Sequence, residues 1–251
     1  MKIVVTLSGG LDSTVLATHL ARETLHGRAT PAADLDGSTT HHALRAVSFS
    51  YGQRHERAEL MAARNVAQAL GIHHQVLSLN GITGRFDPDS SQLLAANTAE
   101  HVPEGHYAED NMKATVVPGR NLLMIAAATA YASSHGYEAV AMAAHSGDHP
   151  IYPDCRPEFL MAAGNATTLG YGIPLLFPFA DRTKAEIAAL GATLEAPMDL
   201  TWSCYNGGAR HCGRCGTCVE RAEAFHLAQV PDPTPYEDPD YFRTVTTQAA
   251  S

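Results

Sequence analysis

Residues 2–7 form a short, apolar, β-branched run that ends in the string Ser8-Gly9-Gly10-Leu11-Asp12-Ser13-Thr14. An unbroken apolar run suits a strand buried on both faces, which is the situation inside a parallel sheet. Beyond it Leu11, Val15, Leu16, His19 and Leu20 recur at helical spacing, so a helix is predicted directly after the glycine turn. Strand, glycine turn and helix in that order point unpaired backbone N–H groups and the positive helix end at one spot, a cradle for phosphate. Gly9 and Gly10 permit close backbone approach, and Ser8, Ser13 and Thr14 add hydroxyl groups. Neither the spacing nor the lysine of a P-loop is present.

The same alternation continues along the chain. Strands are predicted at 44–49, 75–79, 139–144 and 173–177, and helices at 55–70, 121–134 and 156–170. A further helix is predicted at 184–190, with Asp181 as its N-cap. Strands alternating with helices imply right-handed crossovers and an α/β fold with a doubly wound parallel sheet. In such a sheet ligands bind beyond the carboxyl ends of the strands. The loops expected to meet there are 8–14, 50–54, 117–121 and 145–156. The irregular stretch that follows residue 79 and runs to Met112 is long for a compact domain and is expected to act as a lid or active-site loop. Residues 26–43 lack periodicity and read as an exposed insertion. The predicted organisation is a main domain at 1–200, a small helical appendage at 201–230 and a tail at 231–251.

A chain of 251 residues suits one such domain with an appendage. No apolar run approaches the roughly 20 residues needed to span a bilayer, so no membrane association and a cytoplasmic location are expected. With 26 acidic against 17 basic residues the net charge is -9, which repels phosphate backbones and disfavours a nucleic-acid partner.

Four of the five cysteines are clustered: Cys204, then Cys212-Gly213-Arg214-Cys215-Gly216-Thr217-Cys218. These are too few for a disulfide framework. Thiolates on tight turns converge on tetrahedral zinc, and four of them leave no open position, so one structural zinc per chain is expected. Reduced thiols and an iron–sulfur cluster are the alternatives. His211 stands beside Cys212 as a substitute ligand. Cys155, which stands apart, is either a nucleophile or a small buried apolar residue.

The string at 8–14 resembles the pyrophosphatase-loop superfamily, which implies an adenine nucleotide alpha hydrolase-like fold and adenylation of a substrate oxygen with release of pyrophosphate. Four more strings narrow the resemblance: Tyr51-Gly52-Gln53-Arg54-His55, Val117-Pro118-Gly119-Arg120-Asn121, the run from Tyr152 through Asp154, Cys155 and Arg156 to Phe159, and Cys204-Tyr205-Asn206-Gly207. In that order they are similar to the 7-cyano-7-deazaguanine synthase family. The resemblance implies 7-carboxy-7-deazaguanine, ATP with magnesium, and ammonia as substrates, two successive adenylations through an amide, and a homodimer. The nucleotide is expected on Ser8, Gly9, Gly10, Leu11, Asp12, Ser13, Thr14, Ser50 and Tyr51. Asp12, Ser13, Arg120 and Lys184 are expected to act in catalysis. The substrate is expected on Arg54, Asp148, Tyr152, Asp154 and Arg156, with Asp148 and Asp154 either accepting from a guanine-like N–H edge or holding magnesium. His145 and His149 are plausible acid–base groups. A tRNA-thiolating relative would need a paired catalytic cysteine and a basic surface, and a paralogue acylating a protein amine would share every motif. A nonenzymatic ATP sensor is the third alternative.

Overall fold

The computed structural model describes residues 1–26, 43–99, 101–148 and 151–249, so the insertion expected at 26–43 and His149 lie outside the described residues, except at the insertion's two ends. In chain order the elements are β1 (Ile3–Thr6), α1 (Leu11–His26), β2 (Leu44–Ser50), α2 (Glu56–Ala69), β3 (His73–Ser78), the one-turn α3 (Asn80–Thr83) and α4 (Arg120–Ser134). There follow β4 (Ala139–Ala141), α5 (Pro157–Tyr171), β5 (Leu175–Leu176), α6 (Lys184–Thr193), α7 (Gly216–Leu227) and α8 (Tyr241–Ala249). Among the described residues no helix is long and apolar enough to cross a membrane.

The five strands are parallel in the order β3-β2-β1-β4-β5. Ile3 sits opposite both Leu44 and Ala139, so β1 is the strand from which the chain winds outward in both directions. The crevice between β1 and β4 is therefore the switch point where loops diverge and a ligand fits. Successive side chains of β1 go to opposite faces. Ile3 and Val5 join the core under α1, α2, α6 and α7, while Val4 joins the core under α4 and α5. Each fully buried Val, Leu or Ile contributes about 1.5–3 kcal/mol to this closure. The two edges are blunted, β5 by its two-residue length and β3 by an exposed, polar sequence that includes His73 and Gln75.

Two features depart from the sequence reading. Strands predicted to reach 144 and 177 stop at Ala141 and Leu176, because beyond those residues the loops part to open the crevice. The N-cap of α6 is Thr183, not Asp181: Thr183 Oγ1 accepts the Glu186 N–H at 3.2 Å while Glu186 accepts the Thr183 N–H at 2.7 Å. This reciprocal capping box satisfies two donors at once, which a residue two positions earlier cannot do. The tail is docked, since Asp232 binds the fully buried Arg221 at 3.3 Å, Asp238 binds Arg214 at 3.0 Å and α8 follows. The irregular stretch before α4 is likewise pinned, with Val102 N–H donating to Asn206 Oδ1 at 3.1 Å and Gly105 N–H to Arg214 O at 3.2 Å.

Candidate active site

At the carboxyl end of β1 a cleft of about 260 Å³ opens between the sheet, α4, α6 and the cysteine-bearing segment. Ser8, Gly10, Leu11, Asp12 and Ser13 form one wall. The two serine hydroxyls lie 3.0 Å apart, Ser13 Oγ donates to Gly10 O at 3.2 Å, and Thr14 N–H makes the first helical bond to Gly10 O at 3.1 Å. The N–H groups before that bond have no intrahelical partner and face the opening. Gly9 acts elsewhere. Its φ is +80°, and a Cβ there would lie 2.6 Å from Ala63 N and 2.7 Å from Glu59 O, so the turn rests directly on the first half of α2. Gly9→Ala is expected to cost about 2–4 kcal/mol from backbone strain plus overpacking. Urea denaturation checks this, and a loss under about 0.5 kcal/mol would contradict the packing described.

Behind the cradle Lys184 Nζ lies 3.1 Å from Asp12 Oδ2 and 2.7 Å from Glu220 Oε2. Burial alone would raise the Asp12 pKa, but the Lys184 ammonium and His145 hold it below the usual carboxylate value. His145 Nδ1 accepts the Gly147 N–H at 3.1 Å, and its Nε2 lies 3.7 Å from Asp12 Oδ2. Asp12 Oδ1 is buried with no hydrogen-bond partner among the described residues. A lysine at the first position of α6 opposes the helix dipole. The local cost is offset by the two carboxylates, one from α1 and one from α7.

The far end of the cleft is an aromatic chamber formed by Tyr51, Tyr152 and Tyr205 around Arg120, whose guanidinium lies 5.6 Å from the Tyr152 ring centre. Gly119, at φ +66°, starts α4 so that Arg120 and Asn121 enter the cleft. Burial pushes the Tyr51 hydroxyl up to about 12 and, with Arg120 beside it, the His55 imidazole down to about 3, so both are neutral near pH 7. Glu59, on the chamber floor, is raised by burial to about 7.

Beside the cleft the sulfurs of Cys204, Cys212, Cys215 and Cys218 all lie within 4.8 Å of one another. Cys212 and Cys218 Sγ are 3.9 Å apart, close to the edge of a tetrahedron with bonds of about 2.3 Å. The Arg214 and Cys215 N–H groups donate to Cys212 Sγ at 3.4 and 3.3 Å, an arrangement that favours thiolate. The cluster therefore has the geometry to hold a metal ion. His211 is not part of it: Nε2 accepts the Ser203 N–H at 2.9 Å and its ring packs on Trp202. Trp202 N–H in turn donates to Gly9 O at 2.8 Å, tying the cluster to the cradle.

The family model described as "Queuosine biosynthesis protein QueC" matches residues 33–229. The chain belongs to the QueC family. It is 48% identical to the 7-cyano-7-deazaguanine synthase of Allorhizobium ampelinum over 98% of this chain and 97% of that one. The 7-cyano-7-deazaguanine synthases of Rhizobium meliloti and Paracoccus denitrificans are 48% and 47% identical, over 98% and 97% of this chain and 96% of each of theirs.

In this QueC family member the residues singled out from the sequence divide by where their side chains point. Ser8, Gly10, Leu11, Asp12, Ser13, Tyr51, Arg120, Tyr152 and Lys184 line the cleft, as do His145 and Cys155. The others pack or bond elsewhere in this structure. Thr14 is wholly buried on the core side of α1, and Ser50 Oγ accepts from Asn80 Nδ2 at 2.8 Å. Arg54 straps residues 92–99, donating to Gln92 O at 3.4 Å and Ala99 O at 2.9 Å. Asp154 Oδ2 accepts the Asn121 N–H at 3.1 Å and so caps α4, favoured there by the helix dipole. Arg156 is the exposed N-cap of α5, and Asp148 closes the turn Ser146–Asp148. Sequence reasoning missed Glu220 and Glu59. Both stand on helices whose apolar periodicity says nothing about which polar side chain enters a cleft.

Proposed function

We propose that this chain converts 7-carboxy-7-deazaguanine and ammonia into 7-cyano-7-deazaguanine, using two molecules of ATP in one cleft. The observation that carries the reading is the continuity of the serine cradle, the Asp12–Lys184–Glu220 cluster and the aromatic chamber holding Arg120 in one cavity. Near-full-length similarity to proteins named for this synthase supports it. A carboxylate oxygen attacks the α-phosphorus and pyrophosphate leaves. Ammonia adds to the activated carbon, and AMP departs with the oxygen to give the amide. The amide oxygen then attacks a second ATP, and loss of AMP with the two N–H protons leaves the nitrile. Ser8 and Ser13 with the α1 N-terminus bind phosphate oxygens, Lys184 neutralises developing charge, and Arg120 orients the substrate carboxylate as a bidentate partner.

Magnesium fits the same cleft. Asp12 and Glu220 supply two carboxylates against one lysine, and the buried Asp12 Oδ1 lacks a partner among the described residues. These two residues would hold the ion, which would screen the nucleotide's phosphate charge. Zinc suits the four thiolates, whose spacing matches a closed tetrahedral site with a purely structural role. The Ser13→Ala variant is expected to raise the KM for ATP about tenfold with only a small loss of thermal stability, since its hydroxyl lines the cradle and bonds within that turn.

Supplying 7-amido-7-deazaguanine directly tests the scheme. It should give the nitrile with one ATP cleaved per product, no added ammonia, and AMP and pyrophosphate as the only nucleotide products. Starting from the acid should consume two ATP per nitrile. An enzyme that activates the acid but leaves the amide untouched would instead be an acyl-transferring relative, and ADP with phosphate would reject adenylation.

A further inference from the structure

Of the acidic residues expected to read the deazaguanine ring, Asp154 caps α4, and among the carboxylates that line the cavity Asp12 and Glu220 pair with Lys184, which leaves Glu59. Glu59 is placed with unusual care. Gln53 fixes it by donating from Nε2 to Glu59 Oε2 at 2.8 Å. The same amide donates to Phe49 O at 3.0 Å and accepts the Tyr51 N–H at 2.9 Å, so its orientation is locked. The Glu59 backbone carbonyl supports Gly9 in the cradle, so this residue is registered against the nucleotide turn. A buried carboxylate is costly unless it gains donors. Glu59 has Gln53, approaches His55 Nε2 at 3.5 Å and feels the Arg120 charge, which offsets only part of the burial that raises its pKa.

We propose that Glu59 determines base specificity, its carboxylate accepting hydrogen bonds from the ring N–H and exocyclic amino group of a 2-amino-4-oxo pyrimidine edge while Arg120 takes the carboxylate at the opposite end of the molecule. This deepens the reading given under Proposed function. The chamber supplies what such a ligand demands: tyrosine faces for a planar ring, an anion for the donor edge and a guanidinium for the acidic substituent. The groups facing Glu59 are His55 and Glu56 on its own side, Gln53 and Tyr51 from the strand end, and Arg120 from α4. His55 and Tyr51 stay neutral near pH 7, so Glu59 is the group that changes charge there. Its ionised form accepts two donors, so tight binding of the amino-bearing edge requires its proton to leave.

The decisive experiment is equilibrium binding to the wild-type chain, without ATP, of 7-carboxy-7-deazaguanine and of its analogue lacking the 2-amino group. The amino compound is expected to bind about 10²-fold more tightly, the usual worth of a hydrogen bond to a charged partner. Its affinity should rise as pH passes upward through about 7, and calorimetry in buffers of different ionisation heat should record more proton release for that ligand than for the analogue, which keeps only the ring N–H. In Glu59→Gln, with zinc content and melting temperature as controls for folding, the preference should fall below about tenfold and the pH limb should vanish. Equal binding of the two compounds by the wild type overturns the proposal whether or not the variant folds. So does an undiminished preference in a folded Glu59→Gln protein, which would leave Glu59 as a support for Gln53. Because binding is read without turnover, discrimination with no nitrile formation would reject the proposed reaction and keep the role of Glu59. Nitrile formation without discrimination would do the reverse.

Discussion

Lys184→Met is expected to lower kcat/KM by about 10³-fold, the loss seen when one preorganised charge donor is removed from a developing anion. The same change should destabilise the fold. Lys184 Nζ is the cation between Asp12 at 3.1 Å and Glu220 at 2.7 Å, and all three side chains are less than one-fifth exposed. Removing it leaves two buried carboxylates facing each other, at a cost of about 3–5 kcal/mol. The two effects separate in the double variant Lys184→Met with Glu220→Gln. Cancelling one negative charge should recover most of the lost melting temperature while the rate stays low. Steady-state kinetics with both acid and amide substrates, read beside thermal denaturation, checks this. A single variant within tenfold of the wild-type rate would remove Lys184 from the chemistry.

The second large effect concerns the cysteines. Cys215→Ala is expected to abolish stoichiometric zinc and, with it, metal-coupled stabilisation on the order of 10 kcal/mol. The damage should not stay local. Cys215 is the N-cap of α7, and α7 carries Glu220 to Lys184 and places Arg221 for Asp232. Activity is therefore expected to fall together with folding, and a chelator should reproduce both losses in the wild type. Elemental analysis, far-ultraviolet circular dichroism and turnover on the same samples provide the check. A Cys215→Ala protein that keeps full zinc and stability would rule out the four-thiolate site.

Much of the architecture was written in local patterns. The apolar run before Ser8, the helical spacing after it and the repeated alternation of strand and helix led to a parallel doubly wound sheet because backbone period and burial act over a few residues. The strand order, with its switch at β1, came from the structure, and it places the cleft beyond the carboxyl ends of the strands, where a parallel doubly wound sheet is expected to bind ligands. The cysteine cluster was equally legible, since ligand spacing on tight turns is a local property and its four sulfurs do converge. The cradle was read correctly as a turn, but only Ser8 and Ser13 of its hydroxyl residues line the cleft.

What the tertiary structure alone decided is which polar side chains face one another. Asp12, Lys184 and Glu220 come from α1, α6 and α7, and no spacing in the chain links positions 12, 184 and 220. Arg54, Asp154 and Arg156 sit in motif segments yet serve a strap, a helix cap and an exposed turn, while Glu59, on a helix face with no motif signal, reaches the chamber. The tail at 231–251 is held by Arg221, a wholly buried charge whose partner lies eleven residues onward. Hydrophobic periodicity determines which face of a helix goes inward. The packing of helices that are distant in sequence determines where the remaining polar side chains can go, because a buried charge must end beside a partner.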